Sequence, residues 1–167
     1  LAPMSSTTAT LVMGDAIAAA LMKARKFQPD DFALFHPGGS LGRKLLTKVK
    51  DLMVSKKLPI VNPETEFNEL VNVMTSGKLG LCIVLENDKL VGIITDGDLR
   101  RALKANAKPR FDFKAKEIMS HNPKIIDQEA MATEAEQLML KHKIKEIVVG
   151  KNGRVVGIIQ LYAIGNV

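Results

Sequence analysis

With 167 residues, 46% of them apolar and 25% charged, the chain is long enough for one compact domain or a small domain with an appendage, and its composition is ordinary for a globular protein. Aromatics make up only 4% and tryptophan is absent, so Ile, Leu, Val, Ala and Met must build the core. The net charge of +6 comes from lysines scattered among acidic residues, with few stacking aromatics and no nucleic-acid motif. This argues against nucleic acid and for a solvated surface or a modest attraction for anionic small molecules.

The chain opens at Leu1 without an initiator Met and reads as a fragment. Ser5-Ser6-Thr7-Thr8 offers N-cap candidates for a helix running to about Lys26. Residues 9–22 are apolar on nearly all faces apart from Gly14 and Asp15, the pattern of a helix inside a larger domain. That domain is not in the sequence, so residues 1 to about 40 are expected to be disordered or to pack against another copy of the chain. The longest apolar stretch, around 16–22, is too short for a membrane span and is bounded by Asp15 and Lys23. Further on, Gly38-Gly39-Ser40-Leu41-Gly42 spells a nucleophile elbow. An elbow needs a strand before it and an acid and a His after it, and a repeat occupies that space; Ser40 reads instead as a helix cap.

From about Val49 the chain repeats itself every 65 residues or so. Val91-Gly92-Ile93-Ile94 returns as Val156-Gly157-Ile158-Ile159, Asp51-Leu52-Met53 as Glu117-Ile118-Met119, and Ile60-Val61-Asn62 as Ile125-Ile126-Asp127. Each copy predicts a short strand, a helix (66–76 or 132–142), a buried strand (81–85 or 146–149), a polar turn and the Val-Gly-Ile-Ile strand. A second helix is expected after Thr95, and the chain ends near the equivalent point. Asn87-Asp88 and Asn152-Gly153 read as hairpin turns. Cys82, in the apolar run Leu81-Cys82-Ile83-Val84-Leu85, reads as a small buried hydrophobe. A lone cysteine permits no disulfide within the chain, and no Cys/His cluster has metal-ligand spacing, which fits a reducing cytosol.

The doubled β-α-β-β-α order and the stretch Val91-Gly92-Ile93-Ile94-Thr95-Asp96-Gly97-Asp98-Leu99 resemble the cystathionine-β-synthase-type (CBS) domain pair, an α/β (α+β) architecture. The resemblance implies repeats at 49–110 and 111–167 and a cleft that binds a nucleotide. It places Thr95 and Asp98 on phosphate or ribose hydroxyls. Beside them, Ile60, Val61, Ile125 and Ile126 are candidates to flank a base, and Arg100 and Arg101 to pair with phosphate. The same residues have a plainer reading. Thr95-Asp96-Gly97-Asp98 is a capping box, Ile60 and Val61 suit a core, and Arg100 suits a solvated helix face. Both roles stay open at Thr95 and Asp98. In the second repeat Thr95 becomes Gln160 and Asp98 becomes Ala163, so at most one fully equipped site is expected.

The first 48 residues, through Ser6-Thr7-Thr8-Ala9-Thr10-Leu11-Val12-Met13-Gly14-Asp15-Ala16 and His36-Pro37-Gly38-Gly39, resemble the end of the sugar isomerase (SIS) domain of D-arabinose 5-phosphate isomerases. These cytoplasmic enzymes fuse a SIS domain to a CBS pair and open the route to the lipopolysaccharide sugar Kdo. The resemblance makes His36 an active-site residue, where imidazole has a pKa suited to moving a proton between C1 and C2. The rest of that site would lie upstream, so the fragment alone is expected to be inactive. No cofactor is required. The implied partners are a nucleotide effector (CMP-Kdo, AMP or ATP) and further copies of the chain, with CBS dimers and a tetrameric whole enzyme. A ligand-free dimerisation module is the alternative.

Overall fold

The structure, a computed structural model, describes residues 3–28, 31–32, 35, 45–104 and 112–165. The chain separates into two compact units, Leu1–Leu46 and Thr47–Val167. In the first, helix α1 (Met4–Ala24) begins one turn earlier than the hydroxyl residues suggest. Pro3 is its N-cap, and its side chain makes no capping bond. The Ser6 and Thr7 hydroxyls donate backward to the Pro3 carbonyl, and Thr8 to that of Met4. Such back-bonding satisfies hydroxyls inside a helix, so these residues line its first turns and cap nothing. Residues 4–24 are helical, which goes against the disordered alternative there and leaves the alternative of packing against another copy. No residue of α1 is buried, and Leu11, Val12, Ile17 and Leu21 are each more than half exposed. No helix among the described residues is long and apolar enough to cross a membrane.

In the second unit the repeat becomes two sheets. Strand β1 (Ile60–Val61) lies parallel to β2 (Leu81–Glu86), which pairs antiparallel with β3 (Lys89–Thr95); β4 (Ser120–His121) adds to the far edge of β3. The second copy gives β5 (Ile125–Asp127), β6 (Glu146–Lys151) and β7 (Arg154–Gln160) in the same order and sense. Short helices α2 (Val49–Leu52) and α5 (Ala115–Ile118) open the copies, and α3 (Phe67–Gly77) and α6 (Ala132–His142) link the first two strands of each. Helices α4 (Asp96–Lys104) and α7 (Leu161–Gly165) follow the last strands. Asn87, Asp88, Asn152 and Gly153 all have positive φ, as two-residue hairpin turns demand. Cys82 is fully buried, and burial pushes its thiol up to about 12, which makes it inert packing.

The sequence repeats and the packed halves do not coincide. Val49, at the head of the first copy, is buried in a cluster with Ile126, Ala132, Met139 and Ile159 of the second. Ala115, at the head of the second copy, is buried with Val61, Leu70, Val84 and Ile94 of the first. Each opening segment therefore completes the other copy's core. The Val54 amide donates to the Ile158 carbonyl at 2.8 Å and the Val54 carbonyl accepts from the Ile158 amide at 3.0 Å, an antiparallel pairing like that of β4 with β3. Beside these crossings the repeated Met lies on the repeated Gly. A Cβ on Gly92 would sit 2.8 Å from the Met119 sulfur and 3.0 Å from the Ser120 carbonyl. One on Gly157 would sit 2.8 Å from the Met53 sulfur and 2.9 Å from the Val54 carbonyl. This explains why Met53, Met119 and the two glycines recur together.

Charges repeat the exchange at the surface. Glu129 accepts from Lys48 at 2.8 Å and Lys50 at 2.9 Å, and Glu64 from Lys114 at 2.6 Å and Lys116 at 2.5 Å. Hydrogen bonds from the paired lysines, more than their charge alone, hold both glutamates down at about 2. Leu79, Leu81, Ile83 and Ile158 form a third cluster that joins the two sheets.

Gly92→Ala and Gly157→Ala should each destabilise the unit by about 1–3 kcal/mol, because a carbonyl as well as a flexible Met must give way. The check is a lower urea midpoint with an unchanged slope. For the glutamates the folded pKa lies below the unfolded one, so their contribution is complete above the ordinary carboxylate value. It drains as pH falls from about 4.5 toward about 2. A Glu64→Gln/Glu129→Gln double variant should thus differ from the parent near neutrality and converge with it in acid. Salt should shrink the difference, since both groups are solvent-facing.

Candidate functional site

Strand β3 passes into α4 with no loop: Thr95 ends the strand and Asp96 begins the helix. The junction is held by the Asp98 carboxylate folding back. Its Oδ2 accepts from the Thr95 amide at 2.8 Å and the Thr95 hydroxyl at 2.6 Å, while the Asp98 amide donates to Thr95 Oγ1 at 3.3 Å. This is a reciprocal capping box. The other oxygen, Oδ1, accepts from Arg101 Nη2 at 2.6 Å and from the Ser120 hydroxyl at 3.2 Å. Ser120 belongs to β4, so the carboxylate also ties the first repeat to the start of the second. Asp98 is only 8% exposed. Burial is the largest single influence on it and pushes its pKa up. The hydrogen bonds from Thr95, Arg101 and Ser120 together outweigh burial and hold the carboxyl below its ordinary value.

The junction forms one wall of a cleft of about 650 Å³ between the repeats. The first repeat contributes Gly80, residues 95–98, Arg100 and Arg101; the second contributes Ser120 to Lys124 and Lys143 to Glu146. Five cationic side chains line it (Arg100, Arg101, Lys124, Lys143 and Lys145) against the carboxylates Asp96, Asp98 and Glu146. Burial pushes the Glu146 carboxyl above its ordinary value. The volume lies within the range of small-molecule sites, and the charge balance suits an anion with a polar, hydroxyl-bearing portion. Among the described residues no group of His, Cys, Asp and Glu could hold a metal ion.

The structure brings Thr95, Asp98 and Arg100 into this cleft. Ile60 and Val61 are elsewhere. They pair with Ile83 and Val84 of β2, and Val61 is buried; both line a separate hollow of about 400 Å³ beside the Asn87-Asp88 turn. Thr95 pairs instead with Leu81, at the other end of β2. His36 and Ser40 lie outside the described residues. At the place in the second repeat that matches Thr95, Gln160 is buried. Its amide donates to the Leu79 carbonyl at 3.4 Å and accepts from the Tyr162 hydroxyl at 3.0 Å. With Ala163 in place of a carboxylate, the second copy spends this position on joining the repeats. Ser120, Lys124, Lys143 and Lys145 were not singled out from the sequence, because their relevance arises only from contact between repeats.

The CBS domain family matches residues 49–105 and 115–164. The chain belongs to the CBS domain family. A probable arabinose 5-phosphate isomerase of Haemophilus influenzae is 48% identical to it over 161 residues, 96% of this chain and 48% of that protein. An arabinose 5-phosphate isomerase of Francisella tularensis is 43% identical over 166 residues, 97% of this chain and 50% of that protein. The chain spans about half the length of the curated relatives it matches. Among solved structures, an uncharacterized conserved protein from Pyrococcus horikoshii is 27% identical with a TM-score of 0.65, covering 73% of this chain and 92% of that one. A CBS domain pair solved in complex with 5′-methylthioadenosine and S-adenosyl-L-methionine is 25% identical with a TM-score of 0.63, covering 72% of this chain and 94% of that one.

Asp98→Ala should cost this CBS pair about 1–2 kcal/mol, because it strips the cap from α4 and strands the Thr95 amide. Arg101→Ala removes a 73%-exposed partner and should cost about 0.5 kcal/mol or less. Urea midpoints measured on both variants separate the two. Equal shifts would mean that the ion pair, not the cap, holds the junction.

Proposed function

We propose that the chain is the regulatory part of an arabinose 5-phosphate isomerase and that its cleft binds a nucleotide effector. One observation carries the reading: the single fully equipped junction, Thr95–Asp98, opens into a cationic cleft built by both repeats. A ligand bridging the two copies favours one arrangement of the pair over others, and that differential affinity is what a sensor needs to bias an attached enzyme. The similarity to arabinose 5-phosphate isomerases over nearly the whole chain supplies the reaction, ribulose 5-phosphate to arabinose 5-phosphate. On this reading His36 is a catalytic residue of that enzyme, and the isolated chain has no isomerase activity. Two effector classes are candidates. The logic of end-product control favours CMP-Kdo, and the adenosine compounds bound by a related pair favour AMP or ATP.

A second reading has its own support. Thr95, Arg101 and Ser120 already satisfy Asp98 from within the chain, as they would in a purely structural module. Calorimetric titration with CMP-Kdo, CMP, AMP and ATP decides between the two. Saturable binding of one compound, weakened about tenfold in a Lys124→Ala/Lys143→Ala variant, is the expected outcome. A flat response across the panel would assign the cleft to structure alone and leave Thr95 and Asp98 as a helix cap.

A further inference from the structure

We propose that Arg101 is a built-in occupant of the ribose position, and that a nucleotide enters the cleft by exchanging with it. The proposal rests on the nucleotide-binding reading above. An ionised carboxylate has about four lone-pair positions. In Asp98 all are used, and they are divided by role. Oδ2 accepts both bonds from Thr95, amide and hydroxyl, and so maintains the helix cap. Oδ1 accepts from Arg101 at 2.6 Å and from Ser120 at 3.2 Å. A pair of neighbouring ribose hydroxyls needs the acceptor capacity of one carboxylate oxygen. One of them can take the place of Arg101 on Oδ1 without disturbing the cap, and the second that of Ser120, whose bond is the longer, once Arg101 has left.

Three features make Arg101 the group that moves. Its side chain is 73% exposed whereas Asp98 is 8% exposed, so the guanidinium can withdraw into water and the carboxylate cannot. Arg101 also lies over the first turn of α4: its Nη1 is 3.3 Å from where a Cβ on Gly97 would sit. That turn already carries the Asp96 and Asp98 carboxylates, so a phosphate comes there only with the guanidinium as its partner. Finally, Arg101 lines the cleft with Arg100, Lys124 and Lys143. A guanidinium displaced from Asp98 by a diol is therefore free to fork onto a phosphate attached to the same ligand. Exchange makes the site selective for the combination of diol and phosphate. A nucleoside without phosphate would have to break the Asp98–Arg101 pair with nothing to offer the released cation.

The test compares the parent chain with Arg101→Ala by calorimetry, using AMP, adenosine, CMP, cytidine and the 2′-deoxy form of each monophosphate. Because Arg101 is exposed and the Thr95 bonds to Asp98 remain, the variant should keep its fold, checked by its urea midpoint. The parent should prefer each monophosphate to its nucleoside and to its deoxy form. In Arg101→Ala the nucleoside should bind up to about fivefold tighter. The monophosphate should weaken, so that the preference for phosphate falls by about tenfold. Monophosphate binding by the parent, with nucleoside and monophosphate affinities in Arg101→Ala moving together or not at all, would overturn the exchange and leave the nucleotide reading standing. Absence of binding by every probe to both proteins would overturn the nucleotide reading and the exchange with it.

Discussion

Each repeat begins with a segment that its own sheet does not hold. Val49 closes the core of the second copy and Ala115 that of the first; β4, after α5, adds to the first copy's edge, and Val54, after α2, bridges to Ile158 at the second copy's edge. Neither copy has a complete core without its neighbour. Close approach at the crossings depends on Gly92 and Gly157, where even one added carbon would meet a methionine sulfur and a main-chain carbonyl. The paired lysines on Glu64 and Glu129 mark the same two crossings at the surface. Being solvent-facing, they set register more than they add stability.

That exchange also builds the cleft. Because β4 docks on β3, Ser120 comes within hydrogen-bonding distance of Asp98, and the four residues after it become a wall facing the strand-to-helix junction. The site is thus a product of two repeats that are complete only together. A ligand held there touches both, which is the physical basis for coupling occupancy to the arrangement of the pair. In the first copy one carboxylate serves two purposes, with one oxygen on the cap and the other on groups that come from elsewhere. In the second copy Gln160 meets the Leu79 carbonyl and Ala163 offers no acceptor, so the equivalent position has become part of the join.

Much of the secondary structure was legible from pattern. Residues 132–142 form the expected helix with the expected ends, and the hairpin turns at Asn87-Asp88 and Asn152-Gly153 adopt positive φ. Boundaries slipped where the chain gave no local signal. Helix α3 shifts by one residue, to Phe67–Gly77, and its C-cap Lys78 is left-handed at φ 55°, a conformation that sequence reasoning reserves for Gly or Asn. At the start of α1 the hydroxyl residues suggested caps, but Pro3 already opens the helix and the hydroxyls turn back onto carbonyls within it.

The sequence by itself determined that there are two copies of one unit, that Thr95 and Asp98 stand where a strand meets a helix, and that the second copy lacks both. These are consequences of residue identity and local spacing, which determine capping and periodicity. Only the tertiary structure decided which copy each opening segment completes. It alone shows that Ile60 and Val61 face a different hollow from Thr95, and that Arg101 and Ser120 share Asp98. Those facts depend on contacts between residues far apart in the chain, and no local preference encodes which of two equivalent sheets a segment will join.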